Sequence, residues 1–447
     1  MKTKRIIAVL LSLVIILTGL IAFTACVVEE QEQPKFSAVF NKSGIFDDFD
    51  FVSAIGSELR TDCGNGEKLT FRGTNAGGLL LLEQWMTAII NAEGEPSLDH
   101  KTVSETFTSR FGKEGSMLLW EHYRNNFWTD KDFQNCKDMG MNVIRLPFSY
   151  MNVDPEFNNI PKIPGQKYNF TLLDNFIEGA AKKGIYTMLD LHGAYGSQNG
   201  KDHSGEIVSN VNDIDFYSNE EKQQKTIDLW KAVASRYKDN PAVCGYDILN
   251  EPGENAGTTT TRHWVFFDKV YDAIREVDEN HVIIIESCWG GENLPKPSVY
   301  GWTNIMYSFH HYTGQTSSTG VAAHLASMQS RINNVKSMNF NVPIHMGEFS
   351  CYGNEESWTG TLKMLTDAGW SWNTWTYKLN RTNNTSNAGW GIYYSKAQRV
   401  VPSTDTFMGI MQKWVNVRTD NAEVRPQTFS SGTTLVEIMT EACTYIP

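Results

Sequence analysis

Motifs that cradle phosphate are missing from this 447-residue sequence. No apolar run leads into a G-x-G-x-x-G turn, and no G-x-x-x-x-G-K-[ST] occurs, so neither a dinucleotide nor a nucleotide phosphate is an expected ligand. Excess basic charge is missing too. Lys and Arg total 39 against 51 Asp and Glu, a formal net charge of −12, which disfavours nucleic acid and anionic membranes as partners. Cysteine is sparse, and beyond residue 26 only Cys63, Cys136, Cys244, Cys288, Cys351 and Cys443 occur, none at metal-ligand spacing. No cofactor is expected. Past Ala22 no apolar stretch is long enough to span a bilayer. Internal repeats and low-complexity linkers are absent. What is abundant is aromatic surface: 12% of residues, with 13 Trp.

The N-terminus reads as a targeting segment. Lys2, Lys4 and Arg5 precede the apolar run Ile6 to Ala22, then Phe23-Thr24-Ala25-Cys26. This is the pattern of a secretory signal, and small residues before Cys26 resemble a bacterial lipobox. The expected organisation is a signal over 1–26 with a lipid on Cys26, a polar tether over 27–35, and a single catalytic domain over 36–447. The expected location is outside the cell, secreted or held by that lipid on the outer face of the bacterial cell membrane, with the chain a monomer.

From residue 68 onward, short apolar runs alternate with helical periodicity. Candidate strands are the LTFRGTN run from Leu69, Asn142 to Phe148, Ile185 to His192, Val243 to Asn250, His281 to Ser287, Asn304 to Tyr312, Val342 to Phe349 and Trp370 to Tyr377. Between most of them lie helical stretches such as Leu172 to Lys183, Glu220 to Tyr237 and Val321 to Met338. Alternation of this kind implies parallel strands with right-handed crossovers. Eight strands suit a closed (β/α)8 TIM barrel, an α/β fold. A short N-terminal hairpin turns at Asp62-Cys63-Gly64-Asn65-Gly66, and extended loops follow strands 1 and 3.

Several strands end on a residue with chemical potential: Arg145, His192, Asn250-Glu251, His310 and Tyr312, Glu348, Trp375. In a barrel those ends converge on one bowl. Buried polar groups are costly unless paired, so a full set implies a use. Two carboxylates on opposite walls suit glycoside hydrolysis, which needs one acid with a raised pKa and one ionised carboxylate. On this reading Arg145 keeps Glu348 charged and Tyr312 donates to it. Glu251 is the protonated partner, its pKa raised by burial and by Glu348, and His310 orients it. Asn250 bonds a sugar 2-hydroxyl, and Trp375 is the floor on which the sugar stacks. His310 and His311 are neighbours and face opposite sides of a strand, so His311, and with it His345, is expected outside the barrel ring.

This set resembles glycoside hydrolase family 5, a retaining (β/α)8 family. The motifs are Asn-Glu-Pro at 250–252, the later Glu348, and Arg145, His192, His310-x-Tyr312 and Trp375 on the other strands. The resemblance covers roughly residues 59–394 and implies Glu251 as acid/base and Glu348 as nucleophile. FRGTNAGGLLLLEQWMT and LDLHGAYGSQNGKDHSG are similar to segments of the exo-β-1,3-glucanase branch, which implies that Glu83 helps hold the terminal glucose. Leu79, Gln84 and Tyr195 depart from that branch, at positions expected near the substrate entrance. The implied activity is a retaining β-glycosidase on β-glucan or β-glucosides, exo-acting on terminal glucose. An endo-β-1,4-glucanase is the near alternative. From another class, a non-catalytic glycan-binding surface lipoprotein fits the tether and aromatics but has no need of a buried charged trio. A metal-dependent barrel hydrolase fits poorly, since the first strand has no His-x-His.

Overall fold

A computed structural model describes residues 40, 44–157, 160–253, 262–287, 290–313, 320–380 and 389–446. The signal, Cys26, the tether, Glu254 and Cys288 lie outside these residues.

The chain begins with β1 (Ser53–Ile55), β2 (Glu58–Arg60) and β3 (Lys68–Leu69), a small antiparallel sheet in that order. The expected hairpin is thus three strands: the first arm itself turns at Gly56-Ser57, and the Asp62–Gly66 turn joins β2 to β3. Val52 and Leu59 pack with Phe71, Val143, Met188, Cys244, Val282, Ile284 and Met306. The sheet therefore plugs the N-terminal mouth of the barrel with an apolar layer.

The barrel proper starts at β4 (Arg72–Asn75). A long loop leads to α1 (His100–Phe127), then α2 (Asp130–Asp138) and β5 (Val143–Ser149). The alternation continues with α3 (Thr171–Ala181), β6 (Tyr186–Gly193), α4 (Glu220–Tyr237), β7 (Val243–Asp247), α5 (Arg262–Arg275), β8 (Val282–Glu286) and β9 (Ile305–His311). It ends with α6 (Val321–Met338), β10 (Ile344–Phe349), α7 (Glu355–Asp367) and β11 (Ser371–Thr374). Strands β4 to β11 are parallel and close in sequence order, β11 pairing with β4 through Trp372↔Arg72 and Thr374↔Thr74. The eight expected strands are these eight.

Helices α4 and α6 have the bounds that periodicity predicts. Asn219 caps α4 by accepting from the Lys222 N–H, the role its short side chain favours. Trp230, Val233 and Tyr237 of α4 are fully buried against the barrel. The sequence reading did not anticipate α1, which is broken at Gly112 (φ +73°), nor the sheet of β12 (Lys378–Asn380), β13 (Tyr393–Ser395) and β14 (Val424–Pro426). Between β13 and β14 comes α8 (Phe407–Val415), and α9 (Leu435–Thr444) follows β14. Trp120 of α1 stacks on Trp414 of α8 with ring centroids 6.1 Å apart. One contiguous core runs from Phe40 to Met439, so these late elements belong to the same body as the barrel.

Candidate active site

Arg145 is the centre of the site. It points inward from β5 and is wholly buried. Its Nε donates to Asp247 Oδ2 at 2.8 Å, and Nη1 to Asn75 Oδ1 at 3.0 Å and Glu348 Oε1 at 2.9 Å. Nη2 donates to Asn250 Oδ1 at 3.0 Å, and lies 3.1 Å from Asp190 Oδ1 and 3.6 Å from Glu286 Oε2. One guanidinium thus faces four carboxylates, each from a different strand. Its fixed fork of donors suits such a hub better than a lysine ammonium would.

That ratio leaves an excess of negative charge in a dry place, and the carboxylates respond by holding protons. Burial pushes Asp190 up to about 7, Arg145 opposing. Burial also pushes Asp247 up to about 6 against the same Arg145. Glu286 is raised well above the usual range, by burial and by Asp247. Its Oε2 makes no hydrogen bond.

The sequence-predicted residues meet at the C-terminal edge of the barrel. Glu348 ends β10 and is 4% exposed. Tyr312 donates to its Oε2 at 2.8 Å. Glu251 follows β7 with a left-handed φ of +39°, a sparsely populated conformation for a residue with a Cβ. Its N–H donates to Glu286 Oε1 at 3.1 Å, which helps hold that turn. Its Oε1 lies 2.9 Å from His310 Nδ1, which is also 3.5 Å from Glu348 Oε2. One oxygen of each glutamate lies within 4.8 Å of the other. Asn250 is buried, and its Nδ2 has no hydrogen-bond partner among the described residues. His192 is held by Asp190 at 2.6 Å and lies parallel to Trp375, centroids 5.3 Å apart.

A pocket of about 400 Å³ opens above this cluster. It is lined by Glu83, Trp85, His192, His203, Asn250, Glu251, Tyr312, Glu348, Trp375 and Trp390. Glu83 therefore joins the site as expected, although it comes from the loop after β4. It is 5% exposed and accepts from Trp85 Nε1 at 2.6 Å. Burial, with Asp202 and Glu251 nearby, pushes it up to about 8. Among the described residues, two groups have ligand atoms clustered closely enough for an ion: Glu251, His310 and Glu348, and Glu83, Asp202 and His203.

Three expectations need correction. Glu251 is not raised: burial pushes it up, but His203 and then His310 outweigh that and hold it well below the usual carboxylate range. Glu348 is raised instead, by burial foremost and by Glu251, with Arg145 and Tyr312 opposing. His345 is inside the barrel, bonded to Ser308 Oγ at 3.1 Å and Asn373 Oδ1 at 2.9 Å. The cause is a bulge in β10 between Met346 and Glu348, whose extra residue shifts the alternation. Gly347 fits there because a Cβ would come within 2.6 Å of Ser308 Oγ. His311 does face outward, 3.2 Å from Ser327 Oγ of α6. Leu79, Gln84 and Tyr195 do not line the pocket; Tyr195 bonds Asp154 at 2.7 Å and stacks on Tyr150.

Sequence reasoning missed Asp190, Asp247, Glu286, Asn75, His203, Trp85 and Trp390. Asp190, Asp247 and Glu286 were visible as acids set inside apolar runs, and Asp190 lies two positions before His192 on the same strand.

An eight-stranded parallel barrel with two close carboxylates and an arginine hub at its C-terminal edge defines the class: an α/β barrel with a carboxylate-pair site. The family model for cellulase, glycosyl hydrolase family 5, matches residues 100–395, and the chain belongs to that family. It is 32% identical over 255 residues to a beta-xylosidase from Phanerodontia chrysosporium, covering 56% of this chain and 49% of that protein. It is 30% identical over 257 residues to a glucan 1,3-beta-glucosidase from Candida oleophila, covering 54% and 57%. The chain thus spans about half the length of these curated relatives. The crystal structure of rutinosidase from Aspergillus niger superposes with a TM-score of 0.56 at 19% identity, over 72% of this chain and 93% of that one, a likeness of fold.

Proposed function

We propose that this chain is a retaining β-glycosidase that releases terminal glucose from β-glucan or β-glucosides, with Glu348 as nucleophile and Glu251 as acid/base. The observation that carries the reading is the approach of the two glutamates, whose nearest oxygens lie within 4.8 Å on either side of His310. Retaining enzymes hold their carboxyl groups ~5–5.5 Å apart, whereas inverting ones leave room for a water. Arg145 and Tyr312 give Glu348 two donors, the environment of a group that must be ionised to attack. Glu286 is a carboxyl of the hub that can hold a proton, since burial and Asp247 raise it and its Oε2, like Asp190 Oδ1 and Asp247 Oδ1, accepts no hydrogen bond among the described residues. With that proton in place, the Arg145 charge is left to serve Glu348. Asn250 Nδ2, with no hydrogen-bond partner among the described residues, is free for a sugar hydroxyl.

Exo action is favoured by the buried Glu83 and the half-buried Trp85, which line a pocket of about 400 Å³. The relatives named beta-xylosidase and glucan 1,3-beta-glucosidase favour a β-linked sugar. We further propose that residues 36–447 act as one catalytic domain. The basic and apolar leader through Cys26 supports export with a lipid on that cysteine.

The test is Glu348→Gln against an aryl β-glucoside. Turnover is expected to vanish while the unfolding transition stays in place; undiminished turnover would reject the mechanism. Product analysis on laminarin, carboxymethyl-cellulose and cellobiose then separates the substrates. Glucose as the sole product from laminarin supports exo action; mixed oligosaccharides from carboxymethyl-cellulose would favour the endo-β-1,4-glucanase.

A further inference from the structure

Glu251 poses a difficulty for the reaction proposed above. An acid catalyst must carry a proton when the glycosidic oxygen departs, yet two imidazoles favour Glu251 as a carboxylate. One of them, His310, is embedded: Nδ1 meets Glu251 and Glu348, and Nε2 lies 3.2 Å from Glu286. Burial favours its neutral form. The other, His203, is different. It comes from the loop after β6, sits at the pocket wall, and its side chain is 24% exposed.

His203 Nε2 is 3.2 Å from Glu251 Oε2, the oxygen that His310 does not bond. The same Nε2 is 2.8 Å from Asn199 Nδ2, and that amide also donates to the Glu251 carbonyl at 3.2 Å. A lone pair on Nε2 accepts from Asn199; a proton on Nε2 donates to Glu251. Protonation of Nε2 therefore exchanges the Asn199 bond for one to Glu251, while the Asn199 amide keeps its bond to the Glu251 carbonyl. On the far side of the ring, Asp202 Oδ1 stands 4.0 Å from Nδ1. The charged and titratable groups around this pair are Glu83 and Asp202 from the loops, and His192, Glu286, His310 and Glu348 from the strands.

We infer that His203 and Glu251 share the acid/base proton, with His203 as the positioning residue that supplies it. This rests on the glycosidase reading. In the first step Glu348 bonds the anomeric carbon and the bond to the leaving oxygen breaks. His203 Nε2 gives its proton to Glu251 as the leaving oxygen takes one from Glu251, which leaves Glu251 a carboxylate and His203 neutral. In the second step water attacks the anomeric carbon and breaks the sugar–Glu348 ester. Its proton goes to Glu251, and the pair passes it back to His203. A proton held by two coupled groups titrates as a property of the pair. An imidazole partner carries it to higher pH than a carboxyl alone, since the ordinary pKa of imidazole is about 2 units higher than that of Glu.

Two measurements test this. The first is the pH profile of kcat/KM for aryl β-glucosides with His203→Asn and His203→Gln. The basic limb should move down by about one pH unit. The loss at neutral pH should be larger for a phenyl than for a dinitrophenyl leaving group, which needs little acid help. Coincident basic limbs, with a loss independent of the leaving group, would overturn the inference. The second uses the full chain without substrate: the 15N NMR signal of His203 Nε2 is compared at one pH in wild type and in Glu251→Gln. It should move when the carboxylate 3.2 Å away is removed, and an unmoved signal would overturn the inference. The parent reading fails separately, through turnover that survives Glu348→Gln.

Discussion

The arginine hub makes a quantitative demand on pH-dependent stability. Glu286 is buried, its ordinary value is 4.5, and its folded value is raised well above that by burial and by Asp247. Between those two values the folded chain holds a proton that the unfolded chain has released. Stability from this group is therefore complete below about pH 4.5. It falls by about 1.4 kcal/mol per pH unit as pH rises toward the folded value. Glu286→Gln keeps the shape, keeps an acceptor for the Glu251 N–H, and needs no proton. Its stability relative to wild type should climb by that same slope, reaching about 2–3 kcal/mol between pH 4.5 and 6.5. Asp190 titrates in both proteins and largely cancels from the difference, the slope read is that of Glu286 together with Asp247, which raises it, and any packing cost of the amide is a constant offset. The assay is urea unfolding of both proteins at half-unit pH steps, with equal denaturant slopes as a control on comparability. Curves that run parallel across this range would refute the reasoning. They would mean that Arg145, though 3.6 Å away, neutralises Glu286 and that the hub keeps its protons elsewhere.

Two other variants probe the pocket. Tyr312→Phe removes the 2.8 Å donor to Glu348. A hydrogen bond to a charged group contributes about 1.5–3 kcal/mol, so kcat/KM should fall roughly 10- to 100-fold. Because Tyr312 opposes the raised pKa of Glu348, the acid limb of the profile should move to higher pH; an unmoved limb would count against Glu348 as the group it reports. Glu83, pushed up to about 8, carries its proton at neutral pH, so wild-type KM for short glucosides should rise as pH passes about 8. Glu83→Gln should remove that rise and Glu83→Ala should raise KM at every pH. An unchanged KM in the alanine variant would remove Glu83 from sugar recognition.

The parts of the site that could be read from the chain are those where a single residue breaks a local pattern. Asn250-Glu251-Pro252 ends an apolar run, Glu348 ends another, and both lie at the edge where barrel loops gather. Helix α4 shows the same legibility, with Ile227, Trp230 and Val233 on one face and Asn219 at its start. Helix α1 was hidden because Gly112 breaks the phase between its two buried stretches, Val103 to Phe107 and Leu119 to Phe127. The short strands β12 to β14, of three residues each, are too brief to show alternation.

The residues that set the charge state of the site were illegible for a different reason: their meaning depends on partners across the barrel. Asp190, Asp247 and Glu286 are single acids in apolar strands, and only Arg145, reached from β5, turns them into one titrating unit. His203 lies 48 positions before Glu251 in a polar loop, and nothing local distinguishes it from a solvated histidine. Yet it reverses the expected ionisation of Glu251. His345 shows the same limit on a smaller scale, since one bulged residue in β10 moves it from the outer face to the inner one. Pattern finds the groups that do chemistry, because they interrupt a pattern. It does not find the groups that hold or withhold the proton, because what matters about them is the field from neighbours that only the closed barrel brings together.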